Sequence, residues 1–265
     1  MRKVTILIIF TTIAFNAFSQ DDNIQHKLDS IVKEADLLYN YEKAVWISTD
    51  LFIADKKLRK NYGGYVVYHS NDTISVVFIN KTQKERIAKY SFINSDLNNP
   101  VETNFEVSKL NSLEQELLDI KIKIINQLSD SKYEVSIPNG FNPNFVLIKE
   151  KSGFKLYILM GTNKTGIIPF GNDYLFRADL NGNIISWKKF HSRMIPAQSE
   201  IPGVGKVTSA THSHLRTTPY ITATDICTFR LYAQFTGFKE FQVYSPAIGK
   251  YMKYDLEKNK IELID

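Results

Sequence analysis

The sequence predicts an α+β fold, with a mixed, mainly antiparallel sheet and flanking helices. Three observations carry that expectation. Apolar residues recur at threes and fours early in the chain, as on one face of a helix. Most of the remainder consists of β-branched and aromatic runs separated by turn formers. Near the C-terminus a single helical stretch interrupts the strands.

Taken in order, Arg2 and Lys3 precede fifteen uncharged residues, Val4 to Phe18, ending in "AFNAFSQDD". A basic start, a short apolar run and small residues at Ala17 and Ser19 predict a cleavable export signal over residues 1–19. The run is shorter than the roughly 20 residues of a spanning helix, so no stable membrane insertion is expected after cleavage. The mature chain is expected to be secreted or periplasmic. Cys227 is the only cysteine, so no intramolecular disulfide can form, and on a short helix it reads as a core residue.

Residues 22–58 carry helical spacing, with Ile24, Leu28, Ile31, Val32, Ala35 and Leu38 on one side. The period then shortens to that of strands in "YVVYHS", "TISVVFIN" and "ERIAKYSFIN". A second helix is expected from Leu113 to Leu128, with Ser112 and Gln115 as its capping box. The stretch "IPNGFNPN" at 137–144 breaks the pattern, which gives an α+β module over 20–138 and a second domain over 139–265. In the second part "FVLIK" and "FKLYILM" flank a turn, and Asn181-Gly182 joins "YLFRADL" to "IISWKKF" in a hairpin. The strand "GKVTSATHSH", a helix over Ala223 to Phe235, and the strands "EFQVYS" and "KYMKYDL" follow.

Composition excludes some functions. The net charge of +5 falls to about +3 without residues 1–19, whose only charges are Arg2 and Lys3. No basic block is interleaved with aromatics, so no nucleic acid is expected as a partner. Ser129-Asp130-Ser131-Lys132 lacks the companion motifs of penicillin-binding enzymes, and "PGVGK" lacks the spacing of a phosphate loop.

The chemistry concentrates in "THSHLRTTPYITATD", which holds two of the chain's five histidines. On a strand, residues i and i+2 share a face, so His212 and His214 converge while Ser213 turns away. Asp225 follows His212 by thirteen residues, in the first turn of the next helix. Two imidazoles and a carboxylate leave one tetrahedral position for water, the pattern of a catalytic Zn2+ site. Zinc lowers the pKa of such a water to about 7, and the Thr222 hydroxyl stands where an oxyanion would form. The alternative is that Thr222-x-x-Asp225 is a capping box and nothing more.

The spacing resembles that of the JAMM (MPN-plus) zinc metalloproteases: His-x-His, seven residues, then Ser-x-x-Asp. Here His212-Ser213-His214 is followed by Leu215 to Ile221 and then by Thr222-Ala223-Thr224-Asp225. Leu215 replaces the family's usual proline, and threonine replaces its serine. The resemblance implies that His212, His214 and Asp225 are metal ligands, that Thr222 takes the serine's role, and that an upstream glutamate is the general base. Glu150-Lys151-Ser152-Gly153 matches the family's Glu-x-x-Gly, 62 residues before His212, which makes Glu150 the candidate base and Asp173 the second. Glu200 lies too close to the histidines. His191, Ser209 and backbone carbonyls are the candidate outer partners of the imidazoles.

The implied reaction is hydrolysis of amide bonds, peptide or isopeptide, in a peptide-like or protein substrate. The likeness covers residues 145–265 and has no counterpart for 20–140. The alternative from another class is an envelope or secreted binding protein that keeps a degenerate JAMM-like fold without catalysis.

Overall fold

The computed structural model describes the backbone of residues 2–264 and the side chains of residues 23–264. The side chains of the expected export segment, residues 1–19, lie outside the described residues. The fold is α+β, with four α-helices among the described residues and sheets that are almost entirely antiparallel.

Helix α1 (Arg2–Ala54) buries Leu28, Ile31, Ala35, Leu38, Val45 and Phe52, the stripe expected from its threes and fours. The helix expected to run to residue 58 breaks at Asp55. Its carboxylate accepts from the amides of Lys57 (2.7 Å) and Leu58 (3.2 Å), capping the short α2 (Lys56–Lys60). A first sheet follows: β1 (Tyr62–Ser70), β2 (Thr73–Asn80), β3 (Glu85–Ile93), β4 (Glu102–Asn104) and β5 (Ser108–Lys109), with β4 and β5 both on β3. Helix α3 (Ser112–Gln127) is capped one residue earlier than expected, by Asn111 and Glu114 in place of Ser112 and Gln115.

The second sheet has the order β10 (Ile184–Lys189), β9 (Tyr174–Ala178), β7 (Gly153–Gly161), β6 (Asn142–Glu150). The hairpin between β9 and β10 has a longer loop than Asn181-Gly182 alone, because Asp179 accepts from the amides of Asn181 and Asn183 and only Gly182 takes a positive φ, 76°. Strand β8 (Ile167–Gly171) pairs with β11 (Met194–Gln198), and β12 (Glu200–Ile201) with β13 (Gly205–Lys206). The last sheet has the order β14 (Ser209–Ser213), β15 (Glu240–Ser245), β16 (Lys250–Asp255), β17 (Lys260–Ile264). Its β14–β15 pair is parallel, and α4 (Ala223–Thr236) makes the crossover that a parallel pair requires.

Strands β2 and β7 are buried on both faces, and their alternation divides their side chains between two apolar clusters. Phe154, Leu156, Ile158 and Met160 of β7 pack with Leu117, Ile120 and Ile124 of α3. Tyr157 and Leu159 turn to the other cluster, which includes α1 and α4. Residues on both sides of the 138/139 division contribute to each cluster. Phe78 stacks on Phe52 at 4.1 Å between ring centroids; its replacement by Ala costs about 3–5 kcal/mol.

Helix α1 lies against α4. Trp46 meets Tyr232 at 5.4 Å, and the Arg230 guanidinium pairs with Asp36 while stacking 3.9 Å over Tyr39.

Candidate metal centre

Strand β14 ends against β15, and the ladder continues past its last residue because the His214 amide donates to the Tyr244 carbonyl at 3.0 Å. His212 and His214 therefore project on one side, as the period of two requires. After the loop, Thr222 caps α4 and places Asp225 in its first turn, with the full capping box formed. Asp225 is both cap and cluster member. Its Oδ2 accepts from the Thr222 amide (3.0 Å) and hydroxyl (2.6 Å), while its Oδ1 faces the histidines with no hydrogen-bond partner, although fully buried.

His191 completes the group. It comes from the segment between β10 and β11, pinned by two backbone hydrogen bonds: Phe190 N to Asp173 O (3.0 Å) and Asn172 N to Arg193 O (3.1 Å). The close approach needs Gly171, at φ 85°, where a Cβ would stand 2.3 Å from the Arg193 carbonyl oxygen. His191, His212, His214 and Asp225 are all buried, and their ligand atoms lie within 4.8 Å of one another. The other two histidines, His26 and His69, are exposed elsewhere.

The separations fit a cation. His191 Nε2 lies 2.9 Å from His214 Nε2, which lies 3.2 Å from His212 Nε2. Asp225 Oδ1 is 3.4 Å from His191 Nε2 and 3.6 Å from His212 Nε2, and Asp225 Oδ2 is 3.2 Å from His214 Nε2. A tetrahedron with metal–ligand bonds of about 2.0–2.1 Å has edges of about 3.3–3.4 Å. Those distances run from 2.9 to 3.6 Å around that edge, and the four ligand atoms, one per residue, all lie within 4.8 Å of one another.

Proton placement leads to the same conclusion. His214 Nδ1 meets the Tyr220 carbonyl at 2.8 Å, and a carbonyl only accepts, so this nitrogen carries hydrogen. His191 Nδ1 likewise donates to Asp173 Oδ1 at 2.6 Å. In the neutral rings both Nε2 atoms then hold bare lone pairs, aimed at each other and at a carboxylate. That arrangement is repulsive unless a positive charge sits among them. The protein's own answer is a proton: burial opposes charge on His191, but Asp173 and Asp225 beside it outweigh burial and push its pKa up to about 9. Burial lowers that of His212, against the pull of Asp225. Burial would raise that of Asp225, but His191 and His214 hold it well below the usual carboxylate range.

Outer contacts fix the ligands. Asp173 orients His191, the pattern that sets the tautomer of a metal-binding imidazole. The Thr224 hydroxyl donates to the other Asp173 oxygen and lies 2.8 Å from the Thr222 hydroxyl, so two hydroxyls lie between the two carboxylates. Phe170, 5.2 Å from the His212 ring, with Phe229 and Phe241 behind it, gives the centre an apolar floor.

The residues named from the sequence thus divide. His212, His214 and Asp225 come together with Thr222 beside them. His191, expected as an outer partner, stands in the position expected for water, and the second candidate base, Asp173, is its orienting carboxylate. Glu150 stands at the end of β6 in ion pairs with Lys155 (2.8 Å) and Arg177 (3.7 Å), and is not among the four residues that converge. Glu200 is exposed in β12. No spacing rule reaches His191, which precedes His212 by twenty-one residues and three short strands; the scarcity of histidines was the one available signal.

Comparison of the chain with protein-family models, with curated proteins and with solved structures finds no match. A buried His-His-Asp cluster consistent with a JAMM-like motif stands, and the group that could hold a metal ion is one histidine larger than that motif.

Proposed function

We propose that this chain is a metal-binding protein whose His191–His212–His214–Asp225 centre holds one zinc ion. The observation that carries the reading is the convergence of three buried imidazoles and an otherwise unpartnered carboxylate oxygen, with ligand atoms within 4.8 Å of one another and contacts of 2.9–3.6 Å near a tetrahedral edge. Three imidazoles and a carboxylate suit zinc better than calcium or magnesium, which take all-oxygen shells. Four protein ligands, all buried, make a closed centre, and closed zinc centres stabilise folds. This favours the non-catalytic alternative, a binding or structural module that keeps a JAMM-like arrangement.

A second reading is the exported amide hydrolase, and two observations favour it. Asp173 and His191 form an acid–imidazole pair whose free nitrogen points at the cluster, the geometry of an oriented general base. A cleft of about 270 Å³, lined by Phe170, Ile195 and Ala210, reaches His212. In this reading His212, His214 and Asp225 hold zinc, which supplies Lewis-acid activation of water and of a carbonyl. Zinc binding would displace the proton that His191 holds in the metal-free cluster. The freed Nε2 would then accept the proton in place of Glu150, while Thr222 keeps Asp225 in position and a peptide-like substrate enters by the cleft. Export rests on the basic and apolar character of residues 1–19 and is tested by the mass of the mature N-terminus, expected at Gln20.

One pair of measurements separates the readings. Elemental analysis of the purified mature protein gives about one zinc per chain if either holds; no metal, even after incubation with zinc, removes both. In His191→Ala the closed centre loses zinc and stability together, whereas the hydrolase keeps zinc on three ligands and loses only cleavage of peptide substrates.

A further inference from the structure

A second buried polar constellation lies away from the metal centre, where α1, α3, β1 and β6 meet. Glu42 of α1 is 6% exposed and Lys121 of α3 is 8% exposed. They are of opposite charge and attract each other, yet no ion-pair contact between them closes within 4.0 Å. Each has few partners from the chain. Asn144 lies beside Glu42 and favours its charged form. The Lys121 ammonium, which has three donors, makes one long hydrogen bond to the Tyr65 carbonyl, 3.4 Å, and stacks 3.9 Å over the Tyr65 ring. A buried charge is costly unless it is paired and hydrogen-bonded. Two charges left this sparsely served in one fold require a reason.

The surroundings supply one. Two clefts adjoin here, of about 270 and 440 Å³, sharing Val45, Thr49 and Asn144 in their walls. Glu42 lines the first, together with Trp46 and Tyr232, and Lys121 lines the second, together with Tyr62 and Tyr65. An aromatic wall next to a carboxylate is the chemistry that holds an organic ammonium; a lysine ammonium in an apolar recess holds a carboxylate. Gly161 keeps the first cleft open: a Cβ there would stand 3.1 Å from Asn144 Nδ2 and 3.3 Å from Tyr232 Oη.

We propose that these clefts form a binding site for a small zwitterion, a free α-amino acid, with its ammonium on Glu42 and its carboxylate on Lys121. Bound there, the ligand gives each buried charge the partner the chain does not provide. It also ties α1 to α3 and β6. The site is independent of the metal reading, since none of its residues belongs to the metal cluster.

The test uses the mature protein with Trp187→Phe, which leaves Trp46 as the one fluorophore of its kind. The chain is titrated with the proteinogenic L-amino acids to about 10 mM, with Trp46 emission and melting temperature as readouts. The expected result is saturable quenching and a rise in melting temperature for a subset of them. The matching amine or carboxylic acid, each lacking one charge, binds at least about tenfold more weakly. Glu42→Gln and Lys121→Met are each expected to weaken binding by a similar factor. Should either fail to fold, Gly161→Ala narrows the cleft without touching a charge and is expected to weaken binding as well. No response in the wild-type chain, or equal binding of ligands carrying only one of the two charges, overturns the proposal.

Discussion

The metal cluster and the Glu42–Lys121 clefts are both buried and polar, yet the protein treats them oppositely. Around the cluster nearly every polar atom has a partner: Asp173 and the Tyr220 carbonyl hold two imidazoles, and Thr222 holds one Asp225 oxygen. What is left over, Asp225 Oδ1 and the Nε2 atoms, points to one spot. In the clefts a carboxyl group and an ammonium group share few contacts and line open space. A site built for a point charge needs a rigid, fully supported shell, because bond lengths vary little. A site for an organic molecule keeps its walls apart. The pattern of satisfied and unsatisfied atoms therefore matches the size of the ligand proposed for each site.

The strongest attempt to break this contrast is removal of the metal. At free zinc about 1,000-fold above its Kd, binding contributes about 4 kcal/mol. Chelation is expected to lower the unfolding free energy by that order, and the loss should be absent in His212→Ala/His214→Ala. Denaturant melts with and without chelator check it; equal stability would place no metal in the cluster.

The next largest effect falls on the clefts and depends on pH. Burial outweighs the pull of Lys121 and Asn144 and raises the Glu42 pKa from 4.5 to about 7. Its contribution to stability is full below about pH 4.5 and is lost as the pH rises through 7. Burial likewise outweighs Glu42 and lowers the Lys121 pKa from 10.5 to about 8. That contribution is full above about pH 10.5 and is lost as the pH falls toward 8. The pair thus makes a stability minimum between pH 7 and 8, with a depth of about 2–3 kcal/mol at 1.4 kcal/mol per pKa unit. Unfolding free energies across pH should show that dip, and it should flatten in Glu42→Gln/Lys121→Met. A double variant that keeps the full dip would assign it elsewhere.

Smaller effects come from the outer contacts of the cluster. Asp173→Asn removes the acceptor that fixes His191 and is expected to weaken zinc binding about 10–100-fold, read by competition with a chromophoric chelator. Thr224→Val removes only the hydroxyl hydrogen bond to Asp173 and should cost about 1 kcal/mol, with zinc still bound.

Much of the fold was legible in the sequence. The stripe of Leu28, Ile31, Ala35 and Leu38 marked α1, and the alternating runs marked β1 to β3. The break at Asp55 was not visible, because an aspartate inside a helical pattern looks like any exposed residue until its carboxylate turns back to the next two amides. For the same reason the α3 cap shifted to Asn111. The short strands β8, β11 and β17 carry too few residues to show a period.

At the site, His212, His214 and Asp225 were legible because strand and helix periods act within a few residues. The alternatives offered for Asp225, cap or ligand, proved compatible, since a carboxylate has two oxygens. His191 and Asp173 reach the cluster through the pairing of β8 with β11 and the tight approach at Gly171, a tertiary event that no local spacing encodes.

The contact of α1 with α4 has a consequence for synthesis. Asp36 and Arg230 are 194 residues apart in the chain. A polypeptide emerging N-terminus first shows the apolar stripe of α1 to its surroundings until most of the molecule has followed. Long-range closure of this kind is slow and leaves a sticky intermediate. His191 to Asp225 also emerge late, so a metal ion held as proposed would be captured only after most of the chain has been made.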